Sequence, residues 1–316
     1  MKTTYQIKSE GLIPCLPEEA SVFLYCEPTE AEKRELAAST DLDAVDLDGV
    51  FDPDEVPRVE FMPDKMFMIW KRPDNTTTRE AMQFEVSSLG IVIGSGKVVF
   101  IVPHGDIPMT GREFRHVTGV EECLLRVLLL TVHHYQSHLK AIKQISQELQ
   151  SKLIASMENR YLVQMFALGE SLIYYLNALE ANYAVLSKLR TASERLRLTK
   201  DMIDFLDDVM IENQQAAKQA SIYTTVLSGL MDARGTIINN NMNVLLKNLT
   251  VINVVFLPLN LIAGIGGMSE YSMFTRGLDW RFAYGIFSVA ILLLGWLTWW
   301  WLVRVINRHQ HRTGGN

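Results

Sequence analysis

The chain has 316 residues, 48% hydrophobic and 21% charged, with a formal net charge of -6; this suits one or two domains, part soluble and part membrane-embedded. The acidic balance offers no basic face for nucleic acid. Cys15, Cys26 and Cys123 are odd in number, far apart and form no C-x-x-C pair, so a disulfide scaffold or zinc ribbon has no support.

The segment from Met1 to Pro14 lacks the long apolar core of a secretory signal, so the soluble part is expected in the cytoplasm. Residues 1–120 read as a mixed α/β domain. Ser21 to Cys26 is a short β-rich run, and Thr29 with Glu32 forms a capping box that starts a helix. The acidic block from Asp41 to Glu55 fails EF-hand spacing, because Val45 stands where a side-chain oxygen is needed, and it reads as a solvated face. Strand signals follow at Arg58 to Met62, Met66 to Lys71, Gln83 to Leu89 and Lys97 to Val102, with Gly94-Ser95-Gly96 as a hairpin turn. Neither a phosphate-binding glycine motif nor a nucleophile–base arrangement is present, so the chain is not read as an enzyme and no organic cofactor is expected.

Residues 121–198 carry helical periodicity. One run passes through Leu124, Leu128, Ile142, Ile145, Leu149 and Leu153, and a second through Leu172, Tyr175, Leu179, Tyr183 and Leu186. His134 and His138 sit four apart, a spacing that can hold a metal on a helix face, but no third ligand is evident and they read as polar surface residues.

No proline interrupts the chain between Arg197 and Pro258. A single helix from Thr199 to Ile265 would reach on the order of 100 Å at 1.5 Å per residue, far more than a bilayer needs. Residues 199–245 are therefore read as a stalk and 246–266 as a first transmembrane span. Leu227, Leu230, Ile237 and Val244 have a seam-like spacing suited to bundling against copies of the chain. Asn243, Leu246, Thr250, Asn253, Leu257, Asn260 and Gly264 recur at steps of three and four along one face. Such a polar stripe is costly against lipid and should face a partner helix or water. It is read as the wall of a pore, with Leu246, Leu249 and Leu257 as apolar constrictions.

Residues 267–281 form an outer loop. The second span, 282–303, runs roughly 22 residues without a charge against the ~20 required. Trp296, Trp299, Trp300 and Trp301 crowd its end as interface anchors, and a basic tail, 304–316, places both termini on the cytoplasmic side.

Two C-terminal spans behind a long stalk and an α/β domain, with Ser228-Gly229-Leu230-Met231-Asp232, Lys247-Asn248-Leu249-Thr250, Phe256-Leu257-Pro258-Leu259, Ile262-Ala263-Gly264-Ile265 and Glu270-Tyr271, resemble the CorA-type divalent cation transporters. Asp52-Pro53-Asp54-Glu55 and Pro57-Arg58-Val59-Glu60 extend the likeness weakly into the first domain. The resemblance implies a funnel-shaped homo-oligomer, a pentamer, embedded in the lipid bilayer of a bacterial-type inner membrane, whose first spans line the pore. It implies a selectivity mouth at Gly267, Met268, Ser269 and Glu270, where the family's usual Gly-Met-Asn reads Gly-Met-Ser. It also implies divalent cation as substrate and regulator, with Asp208, and Asp207 beside it, as the regulatory metal position in the stalk. Magnesium is the expected ion, with zinc, cobalt or nickel transport, or a non-conducting membrane-anchored scaffold or sensor, as alternatives.

Overall fold

The computed structural model describes residues 1–8, 11–74, 84–109, 111–155, 159–268 and 279–313, with Met273 and Gly277. The chain divides into two units, Met1–Met231 and Asp232–Asn316.

The first unit is built on a seven-stranded sheet: β1 (Lys2–Lys8), β2 (Gly11–Pro14), β3 (Val22–Cys26), β4 (Arg58–Phe61), β5 (Lys65–Pro73), β6 (Val86–Gly94) and β7 (Lys97–Val102). Its order is β2-β1-β3-β7-β6-β5-β4. β3 and β7 pair in parallel, and the other neighbours are antiparallel. The β6–β7 turn has φ of 51° at Ser95 and 72° at Gly96, the two positive values that a tight hairpin requires. β1 and β2 carry no strong sequence signal, because β1 is largely polar, with Lys2, Thr3, Thr4, Gln6 and Lys8, and β2 has only four residues. Gln83, expected at the start of β6, lies outside the described residues.

Side chains alternate between the two faces of the sheet. One face buries Val22, Leu24, Met68, Trp70, Leu89, Ile91 and Phe100 against helical residues that include Leu124, Leu128, Val132, Leu206 and Val209. The other buries Phe67, Ile69, Val92 and Ile101 under Leu36 of α1 (Glu30–Thr40) and Leu47 and Val50 of α2 (Ala44–Phe51). The capping box holds: Glu32 N–H donates to Thr29 Oγ1 at 3.3 Å, and Thr29 N–H to Glu32 Oε2 at 2.8 Å. The acidic block is not simply solvated, because Arg58 of β4 gathers Asp46 at 3.0 Å, Glu60 at 2.8 Å and Glu55 around one guanidinium.

Three long helices follow, α3 (Val120–Ala155), α4 (Asn159–Thr191) and α5 (Lys200–Gly266). They share a second core containing Tyr135, Leu139, Ile142, Leu168, Leu172, Tyr175, Ala216, Ala220 and Leu227. By length and composition α4 could also cross a membrane. Its packing argues otherwise, since Asn182, fully buried, accepts a hydrogen bond from Lys71 N–H at 3.0 Å and donates to Lys71 O at 2.7 Å. The stalk seam is corrected at its lower end: Leu227 is 2% exposed and packs within its own chain, while Ile237 and Val244 stay exposed.

The second unit holds the remainder of α5 and a last helix, α6 (Trp280–Thr313). Leu259 of α5 packs on Gly295 of α6, where a Cβ would lie 3.1 Å from Leu259 Cδ1. Asp279 caps α6, its backbone oxygen accepting from Phe282 and Ala283 N–H at 3.0 and 3.1 Å.

Candidate conduction site

Helix α5 continues unbroken through the polar stripe, with Pro258 inside it. Proline has no N–H to donate, so the carbonyl four residues back loses its usual helical partner. Within the second unit the buried and half-buried positions of α5 include Val251, Val255, Pro258, Leu259 and Ile262. Their steps of three, four and one mark one side, the side of the Leu259–Gly295 contact.

Asn243, Leu246, Leu249, Thr250, Asn253, Leu257, Asn260 and Gly264 are all exposed. At 3.6 residues per turn they fall on the opposite side from the packed line. Thus the stripe is not polar glue between α5 and α6 of one chain. Thr250 Oγ1 donates to Leu246 O at 2.8 Å, which commits the hydroxyl hydrogen to the helix and leaves oxygen lone pairs facing outward. A Cβ at Gly264 would meet nothing within 4 Å, so the backbone lies bare at that position of the stripe. The helix closes with Gly267 N–H donating to Ala263 O at 3.1 Å and Met268 N–H to Ile265 O at 3.1 Å. Gly267 and Met268 are exposed, whereas Ser269 and Glu270 lie outside the described residues.

The chemistry of this surface is neutral oxygen and amide groups alternating with leucine. Among the described residues no group of three His, Cys, Asp or Glu side chains is placed to hold a metal ion. Neutral groups of this kind can hydrogen-bond to the water around an ion without replacing it, which suits a strongly hydrated cation.

The two stalk aspartates differ. Asp207 is bound by Arg190 of α4, Nε to Oδ1 at 2.7 Å and Nη2 to Oδ2 at 3.2 Å, and this pairing raises the arginine pKa. Asp208 is exposed beside it. Arg190 was not visible as a partner in the sequence, because nothing local marks a contact between two helices.

The histidine pair is a packed feature, not a surface one. His134 and His138 are half-buried with ring centroids 4.3 Å apart. His138 Nδ1 lies 2.6 Å from Tyr175 Oη, and the Phe84 ring stands 5.3 Å from the imidazole. Burial, with His134 adding to it, pushes the His138 pKa down to about 4, and burial lowers His134 as well.

The chain is 27% identical over 258 residues to a cobalt/magnesium transport protein CorA of Methanocaldococcus jannaschii, covering 77% of this chain and 78% of that one. It is 25% identical over 247 residues to the protein of the same name from Thermotoga maritima, covering 76% and 69%. The complete structure of the CorA magnesium transporter from M. jannaschii superposes with a TM-score of 0.73 at 21% identity, covering 94% of this chain and 96% of the other. A family model described as CorA-like Mg2+ transporter protein matches residues 21–304, a span that runs from β3 through α5 and into α6, and on that match the chain belongs to the CorA-like Mg2+ transporter family.

Proposed function

We propose that the protein carries divalent cations, magnesium foremost, across a membrane through a pore lined by α5 from several copies of the chain. The observation that carries this reading is the placement of the polar stripe on the side of α5 turned away from its packing line. One helix cannot enclose a water path, so a stripe left facing outward implies copies arranged about an axis, and the family supports a homo-oligomer, a pentamer in this reading. Rings of Asn243, Thr250, Asn253 and Asn260 bind the hydration shell, while Leu246, Leu249 and Leu257 form the narrow apolar collars that open and close by wetting. Gly267, Met268, Ser269 and Glu270 form the mouth, where repeated glutamates concentrate cations. Both termini lie in the cytoplasm, and the membrane is a bacterial-type inner membrane. Asp208 offers an exposed carboxylate for regulatory cation, and Asp207 joins it only when released from Arg190.

The test is reconstitution of the full chain into liposomes containing fluorescent reporters for magnesium and for zinc. Inward flux of magnesium is expected, and Asn260→Leu is expected to cut it at least ~10-fold, since it replaces a polar ring by an apolar one. Absence of flux for every divalent ion under an inward gradient would sink the transport reading. Unchanged flux in Asn260→Leu would remove that residue from the pore.

A further inference from the structure

Three buried polar atoms of the first unit, Arg72 Nη1, Ser87 Oγ and Tyr135 Oη, have no hydrogen-bond partner among the described residues. Their residues are 3%, 5% and 0% exposed, so bulk water does not satisfy them. The fold brings the three together. Arg72 and Ser87 are directly opposite residues of β5 and β6, and alternation puts both on the sheet face that carries Trp70. Two contacts fix where α3 crosses that face: Trp70 Nε1 donates to Thr131 Oγ1 at 2.7 Å, and the Phe84 ring stands 5.3 Å from His138. Arg72 and Ser87 lie between Trp70 and Phe84 along the strands, as Tyr135 lies between Thr131 and His138 along the helix.

Arginine keeps its charge when buried, because a guanidinium does not give up its proton in a protein. A charge taken out of water needs a counter-charge and hydrogen bonds. Burial lowers the Arg72 pKa from its ordinary value although Asp74, then Cys26 and Asp106, pull it up, so the charge is balanced only in part. Burial also holds the Tyr135 hydroxyl protonated, with its pKa well above the ordinary value, and the Arg72 charge pulls against that shift as a neighbour would. All three atoms are therefore donors: one guanidinium N–H and two rotatable hydroxyls. Nη2 of the same guanidinium lies 3.5 Å from where a Cβ on Gly105 would stand, and Gly105 is exposed. One edge of the group thus reaches a surface loop, which gives an ion a short way in.

We propose that Arg72, Ser87 and Tyr135 bind a small inorganic anion of the chloride class between the sheet and α3. The anion accepts one N–H and two O–H bonds and completes the balance of the buried charge, which a water molecule would not do. Its occupancy ties β5, β6 and α3 at one point. The site lies wholly within the first unit and does not depend on the pore reading.

The experiment follows thermal unfolding of the full chain in detergent as chloride replaces the bulky anion gluconate at constant ionic strength. Wild type is expected to gain stability with the logarithm of chloride concentration once the site begins to fill. Ser87→Ala and Tyr135→Phe each remove one donor and should raise the chloride concentration needed about 10-fold, the scale of one hydrogen bond to a charged group. In gluconate the Tyr135 hydroxyl is a buried group without a partner, so Tyr135→Phe should be at least as stable as wild type there and less stable in chloride. Crystals of the full chain soaked in bromide should show an anomalous peak among the three side chains. The proposal is overturned by a wild type indifferent to chloride, by the same chloride dependence in wild type and both variants, by a loss of stability of Tyr135→Phe in gluconate, or by water alone in place of the bromide peak.

Discussion

His138 shows how one side chain couples packing to proton concentration. Its imidazole is held against Tyr175, Phe84 and His134, and its folded pKa of about 4 lies below the ~6.5 of a free imidazole. The folded state therefore binds fewer protons than the unfolded one. Its stability is fully present above pH ~6.5 and falls as pH drops from there towards 4, by roughly 2 kcal/mol after allowing for partial exposure. Thermal unfolding of the full chain in detergent between pH 7.5 and 4.5 should show this fall, and His138→Gln should flatten it; an equally steep profile in the variant would exclude His138 as the source. The four-residue spacing of His134 and His138 was legible in the sequence, but their burial was not. The aromatic groups around them come from α4 and from the segment before β6, and no local pattern ties those stretches to α3.

At the scale of elements, the contact between α5 and α6 depends on Gly295. A Cβ at that position would lie 3.1 Å from Leu259 Cδ1, the flexible end of a side chain, so alanine is expected to be tolerated. A larger residue would push away Leu259, which sits between Pro258 and Asn260. Gly295→Leu is expected to reduce magnesium flux several-fold, while Gly295→Ala keeps it within about twofold, because overpacking by several methylenes strains a close contact and one methyl need not. Equal flux in both variants, measured in the liposome assay, would show that the contact does not position the stripe. The long helices and most strands were legible because period 3.6 and period 2 are strong signals in apolar-rich runs. β1 and β2 were not, because a largely polar strand and one of only four residues are fixed by their partners: Lys2 to Tyr5 register against Tyr25 to Val22, and Tyr5 to Lys8 against Pro14 to Gly11.

For the whole molecule, the proposed pore needs neighbours that the single chain does not contain. Asn243 lies at its cytoplasmic end in the proposed orientation, and copies brought round one axis would place this position close to its equivalents. Asn243→Cys is expected to cross-link into dimers under mild oxidation, read on a non-reducing gel, whereas Ile252→Cys, off the stripe, should cross-link far less. Equal cross-linking at both positions would place the axis elsewhere. The stripe itself was legible because its asparagines and threonine interrupt an apolar run at helical steps. Its orientation relative to the packed side was not, since that depends on where Leu259 meets Gly295. A last consequence lies in the sheet. β4 pairs with β5 only as far as Arg58 with Ile69, while β5 runs on to Pro73, so among the described residues the outer margin of its final residues has no strand beside it. Such a margin is a template for a stray strand from another molecule. Asn182 occupies it by exchanging both hydrogen bonds with Lys71, as a neighbouring strand residue would. A helix thus closes the sheet against aggregation and, by the same two bonds, locks the β5 register that sends Lys71 and Arg72 to opposite faces.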